Sequence, residues 1–264
     1  MAGETTGAGT GVAVSGRRAT GPAAASESPG PPGSGAPARP RIGVLALQGA
    51  VAEHRDMLVR LGADTVAVRR PEQLEELDGL VVPGGESTAI ARLAAPMGLL
   101  PAVRARLDAG MAVFGTCAGL ILLSDRIADA EALAGFDRIG GLDVTTRRNG
   151  YGRQLESFEA TLEIGPDREP PRPVAFIRAP VIEDTTSGVE VLAWYGGHPV
   201  AVRQGRILAA SFHPEITGDD RLHRRFLQMA ASAAAARAEG APVRLAVARG
   251  APGPKSPLSG SSLR

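Results

Sequence analysis

The chain has 264 residues, with 29 basic side chains against 28 acidic ones for a formal charge of +1, so no overall field favours nucleic acid. A hydrophobic fraction of 44% supports a large core, and with aromatics at only 3% that core has to be mostly aliphatic. The single cysteine excludes an internal disulfide framework and a multi-cysteine zinc site, and no metal or other cofactor is expected.

Residues 1–40 hold nine Gly and six Pro, with no aromatic residue, Leu or Ile. Such a segment cannot bury enough apolar surface to offset chain entropy, so it is expected to be a disordered low-complexity extension. No apolar run follows Arg17 and Arg18, so neither a Sec nor a twin-arginine signal is convincing. The longest charge-free stretch, 109–124, is short for a membrane span of ~20 residues and is interrupted by Gly115, Thr116 and Gly119. A soluble, cytoplasmic protein is expected.

Residues 41–235 have the size of one domain. Residues 42–47 are a short apolar run, followed by a helical stretch over 51–61 with Gly62 as its C-cap. A second strand is expected at 65–68, and Pro71 opens a short acidic helix over 72–77. A third strand, 79–82, ends in Pro83-Gly84-Gly85. Helices over 87–94 and 99–109 lead to a fourth strand, 111–114, and 117–128 reads as helix again. This β-α-β-α rhythm predicts a parallel sheet covered on both faces. The later half has a different pattern. Short strands at 142–146, 158–164, 174–177, 189–194, 200–203 and 207–212 are expected to extend the sheet in antiparallel fashion. A last helix, about 219–235, closes the domain, and 236–264 resembles the N-terminal extension in composition.

Gly115-Thr116-Cys117-Ala118-Gly119, between an apolar strand and an apolar helix, has the G-x-nucleophile-x-G pattern of a nucleophile elbow with Cys in place of Ser. The glycines are expected to let the chain turn sharply, and the helix N-terminus favours a thiolate. A thiol nucleophile needs a base, and the chain has four histidines. His54, beside Glu53 and Arg55, reads as a solvated position. His223 stands among Arg221, Arg224 and Arg225, a setting that disfavours its protonated form. His198 and His213 both precede Pro, but only His213 has a carboxylate two residues on, in His213-Pro214-Glu215. In extended chain these two side chains point to the same side, so Glu215 can orient the imidazole. Pro83-Gly84-Gly85-Glu86-Ser87 ends a neighbouring strand, and the amides of Gly85 and Ala118 are candidates for an oxyanion hole. A Cys–His–Glu system of this kind suits attack on a carbonyl through an acyl-thioester, which leaves peptides, esters and amides open.

These residues resemble the class I, triad-type glutamine amidotransferases, and among them the glutaminase subunits of pyridoxal 5′-phosphate synthase. The matching stretches are Ile42-Gly-Val-Leu-Ala-Leu-Gln-Gly-Ala50, Arg70-Pro-Glu-Gln-Leu74, Pro83-Gly-Gly-Glu-Ser-Thr88, Phe114-Gly-Thr-Cys-Ala-Gly-Leu120, Gly150-Tyr-Gly-Arg-Gln154, Phe176-Ile-Arg-Ala-Pro180 and Ser211-Phe-His-Pro-Glu215. The resemblance implies a three-layer, flavodoxin-like α/β fold and hydrolysis of L-glutamine to glutamate and ammonia. In it Cys117 is the nucleophile, His213 the general base and acid, and Glu215 its orienter. It places glutamine on Gly85, Glu86, Ser87, Arg148, Ile177 and Arg178, and a guanidinium suits the α-carboxylate. It also implies a separate synthase subunit that receives the ammonia and activates the glutaminase, with Gln48 a candidate for sensing that docking. The rival readings are the glutaminase of another ammonia-channelling enzyme such as imidazole glycerol phosphate synthase, a Cys-dependent peptidase or stress protein on a flavodoxin-like sheet, and a non-catalytic docking subunit.

Overall fold

A computed structural model describes residues 39–150, 157–165 and 169–238, all in one compact unit, Ala38–Arg264. Most of 1–40, most of 236–264, and residues 151–154 of the 150–154 motif lie outside the described residues.

Strand β1 (Arg41–Leu45) leads through helix α1 (Val51–Arg60) to β2 (Asp64–Val68), which pairs parallel with it. The chain then crosses to β3 (Gly79–Val82) on the other side of β1. Helices α2 (Ser87–Ala94) and α3 (Leu99–Asp108) carry it to β4 (Ala112–Thr116), parallel to β3, and α4 (Ala118–Leu123) follows the elbow. Next come β5 (Ser124–Ile127), β6 (Leu142–Arg147), β7 (Ser157–Leu162), β8 (Arg172–Ile177) and β9 (Val181–Thr185). Strands β10 (Glu190–Tyr195), β11 (His198–Gln204) and β12 (Ile207–Ala210), a single turn α5 (Pro214–Thr217) and the long α6 (Arg221–Ala238) complete it.

The main sheet has seven strands in the order β10-β11-β12-β4-β3-β1-β2. From β12 to β2 all neighbours are parallel, and β11 and β10 extend that edge antiparallel. The central strands are apolar on both faces because both are covered. Ile42, Val44, Val81, Phe114, Leu208 and Ala210 face a core shared with Leu58 of α1 and Leu222, Phe226 and Ala230 of α6. Their alternating neighbours Leu45, Leu80, Val82, Val113 and Ala209 face Ile90, Ala94, Leu100, Val103 and Leu122 of α2 to α4. The result is the expected three-layer, flavodoxin-like arrangement. The carboxyl ends of β1, β3, β4 and β12 share one edge, where the chain switches from building on one side of β1 to the other, the usual location for a ligand in such sheets.

Three expectations change. The apolar run read as helix over 117–128 stops at Leu123, because Ser124 turns extended and donates its hydroxyl to the Leu120 carbonyl at 2.7 Å; Ser124–Ile127 is strand β5, paired with β6. The acidic helix expected over 72–77 is a single 3-10 turn, Pro71–Leu74. Only β10 and β11 extend the main sheet antiparallel; β12 joins it parallel to β4, and the other strands of the later half form a three-stranded sheet, β5-β6-β9, and an antiparallel β7-β8 pair. Strand β9, unforeseen in the sequence, pairs antiparallel with β6.

Candidate active site

Cys117 sits between β4 and α4 with φ 47° and ψ −103°, left-handed backbone that a non-glycine residue adopts at a cost of ~1–3 kcal/mol. The turn is thus made by the cysteine itself rather than by the flanking glycines. Those are required for close packing: a Cβ on Gly119 would lie 2.1 Å from the Val82 carbonyl oxygen, and one on Gly115 2.7 Å from the Gly119 carbonyl carbon. The Cys117 amide donates to the Ala210 carbonyl at 2.8 Å, which anchors the elbow to β12. Its thiol, 3.8 Å from the Ile177 carbonyl oxygen, is nearly buried. Ala118 opens α4, where first-turn amides have no intrahelical acceptor.

His213 follows β12 and is fixed by its amide, which donates to the Ala175 carbonyl of β8 at 2.8 Å. Its Nδ1 lies 2.8 Å from Glu215 Oε1. The expected pairing is present, but the expected extended backbone is not: Pro214 starts the α5 turn, and Glu215 reaches back to the imidazole from within it. Burial alone would push the His213 pKa down. Hydrogen bonding to Cys117 and Glu215, with their negative charge, outweighs this and raises it to about 10. Burial would raise Glu215; His54 and His213 opposite it hold it below the usual carboxylate value.

The turn after β3 presents three successive amides. That of Gly84 donates to Thr116 Oγ1 at 3.0 Å and that of Glu86 to Gln48 Oε1 at 2.6 Å. The Gly85 amide between them has no acceptor among the described residues. The Glu86 carboxylate caps α2, accepting from Thr88 and Ala89 at 3.1 and 2.7 Å, and lies 3.4 Å from Arg148 Nη2. Despite burial, these hydrogen bonds and Arg148 lower its pKa. Gly85, Glu86, Ser87, Arg148, Ile177 and Arg178 line one cleft of about 340 Å³ together with Cys117 and His213. Glu215 stands behind His213, and Gln48 is exposed beside the turn. Among the described residues no cluster of three or more His, Cys, Asp or Glu could hold a metal ion, and no helix is long and apolar enough to cross a membrane.

His54 overturns its sequence reading. It is fully buried, with Nδ1 2.8 Å from His223 Nε2, Nε2 3.1 Å from Thr116 Oγ1, and the same Nε2 3.4 Å from Glu215 Oε1. Burial holds its pKa below 6.5. His223 is buried too, and burial, with His54 and Arg60 nearby, lowers its pKa to about 3. The neighbouring arginines named from the sequence are not the main cause. A signal was present: His54, Met57 and Leu58, spaced three and four apart, are the buried face of α1.

The SNO glutamine amidotransferase family matches residues 44–232. The chain belongs to this family. The pyridoxal 5′-phosphate synthase subunit PdxT of Streptomyces coelicolor is 56% identical over 194 residues, covering 72% of this chain and 93% of the relative. Its counterpart in Streptomyces avermitilis is 54% identical over 192 residues, covering 72% and 94%. A solved glutamine amidotransferase crystal structure aligns with a TM-score of 0.67 at 49% identity, covering 72% of this chain and 98% of that one. The cleft around Cys117 lies within the part of the chain that the SNO family spans.

Proposed function

We propose that this chain is the glutaminase subunit of a pyridoxal 5′-phosphate synthase, which hydrolyses L-glutamine and passes the ammonia to a separate synthase subunit for vitamin B6 synthesis. The observation that carries this reading is the convergence on one cleft of Cys117, His213 and the six residues expected to hold glutamine, in a chain so similar to synthase glutaminase subunits. Residues 41–235 form the glutaminase domain, and the two ends take no part in catalysis. The protein works in the cytoplasm, where its one thiol stays reduced.

Glutamine enters with its α-carboxylate toward Arg148 and its α-amino group toward Glu86. The Cys117 thiolate attacks the side-chain amide carbon, and the Gly85 and Ala118 amides receive the negative charge that develops on the oxygen. The protonated imidazole of His213, steadied by Glu215, gives a proton to the departing nitrogen as the tetrahedral adduct collapses to a thioester and ammonia. His213 then takes a proton from water, whose attack on the thioester releases glutamate and restores the thiolate–imidazolium pair. Gln48, whose carbonyl holds the Glu86 amide, transmits synthase docking to the turn that carries Gly85.

The test is glutamate release from L-glutamine by the purified protein, alone and with a pyridoxal phosphate synthase subunit. Strong stimulation is expected, and Gln48→Ala should blunt it. No stimulation by a synthase that is active on free ammonium would overturn the assignment of partner.

A further inference from the structure

Behind the cleft, Glu215, Thr116 and His223 meet at one buried imidazole, His54, which takes no direct part in the proposed hydrolysis. The three come from separate elements: the α5 turn, the end of β4 next to Cys117, and α6. Thr116 Oγ1 also accepts the Gly84 amide. A single side chain therefore touches the triad carboxylate and, through one hydroxyl, both the elbow strand and the turn carrying the oxyanion candidate.

The protonation pattern follows from the neighbours. Glu215 is ionised, and an Nε2 lone pair at 3.4 Å from its Oε1 would face negative charge. That contact favours a proton on His54 Nε2. His54 Nε2–H points at Thr116 Oγ1 and Glu215 Oε1, and His54 Nδ1 shares a hydrogen bond with His223 Nε2. An orienting partner of this kind commonly fixes a working imidazole or carboxylate.

We propose that His54 is a positioning residue of the glutaminase site, donating its Nε2–H to hold Glu215 in register with Thr116, the elbow and the Gly84-Gly85 turn. This rests on the proposed glutamine hydrolysis. The charged and titratable groups around His54 are Glu215 and His213 at α5, His223 on α6 and Glu53 on its own helix, with Arg60 acting on His223. Glu215 is the one His54 Nε2 reaches. The side chain acts through Glu215 rather than on substrate, so its loss falls on turnover and not on glutamine binding.

The experiment measures kcat and KM for glutamine hydrolysis, with the synthase subunit present, for His54→Phe, His54→Gln, His54→Asn and Thr116→Val, alongside thermal unfolding and Cys117→Ser. His54→Phe should lower kcat ~10–100-fold with KM within about 2-fold, in line with the loss of an outer-shell orienting partner. The amide nitrogen of Gln can reach the Nε2 position, whereas that of Asn falls near Nδ1. His54→Gln should therefore recover most of the turnover, and His54→Asn should not. If the Phe variant does not fold, Thr116→Val reads the same network, and a drop in kcat at constant KM is again expected. Equal losses in the Gln and Asn variants, losses that merely track melting temperature, or full turnover in both His54→Gln and Thr116→Val would overturn the proposal. Activity surviving Cys117→Ser would instead overturn the glutaminase reading beneath it.

Discussion

Gly84→Ala offers a sharp test of how the site is packed. A Cβ built on Gly84 would lie 2.1 Å from Cε1 of the His213 ring, 2.8 Å from its Nδ1 and 3.1 Å from its Nε2. The backbone at Gly84 is not left-handed, so alanine meets no conformational penalty and the conflict is purely steric. Ordinary contact begins near 3.4 Å, so ring and turn must separate by about 1.3 Å. Neither yields freely. The ring is held by Glu215 at Nδ1 and by the His213 amide on Ala175. The turn is held by the Gly84 amide on Thr116 and by its carbonyl, which accepts from Ala50 at 3.1 Å. One of these bonds breaks, at about 1 kcal/mol net, on top of overpacking strain of ~1–3 kcal/mol. The expected destabilisation is about 2–4 kcal/mol, or roughly 5–15 °C in Tm for a domain of this size. A misplacement of about 1 Å can cost ~10² in rate, so kcat should fall at least that far in a synthase-coupled glutamate-release assay. Gly188→Ala is the control, since its nearest neighbour, Gln204 Nε2, is 3.7 Å away. A Gly84→Ala enzyme within about 3-fold of the parent kcat would show that the imidazole does not work from this position, and would refute the packing argument.

Cys117→Ser should reduce glutamine hydrolysis at least ~10³-fold and His213→Asn comparably, because triad members act as a unit, while Glu215→Gln should cost less; equal activity in all three would sink the mechanism. Arg148→Ala should raise the KM for glutamine by ~10-fold or more with a smaller change in kcat, since it removes a carboxylate partner at the cleft wall; an unchanged KM would detach Arg148 from substrate. Stability should fall on both sides of neutrality. Burial lowers the pKa of both His54 and His223 in the folded chain, so below the unfolded value of 6.5 unfolding takes up protons. For His223, at about 3, stability drops by about 1.4 kcal/mol per pH unit, and His54 acts in the same direction. His213 works the other way: with a folded pKa of about 10, its contribution is complete below 6.5 and fades as pH rises from there towards 10. Urea midpoints followed from pH 5 to 10 should therefore peak near neutrality, and a flat profile would refute the charge states assigned to these histidines.

Much of the site was legible because its signals are local. Apolar runs spaced by helical stretches determine a covered parallel sheet; the elbow, the Gly-Gly-Glu-Ser turn and His213-Pro214-Glu215 each fit in a few residues at strand ends, where such sheets gather their chemistry. Those patterns pointed to Cys117, His213 and the turn carrying Gly85, while Arg148, Ile177 and Arg178 came only with the family resemblance. Tertiary structure decided what depends on distant partners. His54 stands between Glu53 and Arg55 and reads as polar surface, yet it is enclosed by Thr116 and His223, 62 and 169 residues further along. Strand β5 exists because β6 pairs with what would otherwise be more helix. Glu215 meets His213 through a helical turn and not along a strand, while Cys117, instead of its glycines, takes the strained backbone. A polar side chain's burial, a strand's partner and the tolerance for strain are set by packing from elsewhere in the chain, and that packing has no counterpart in the neighbouring sequence.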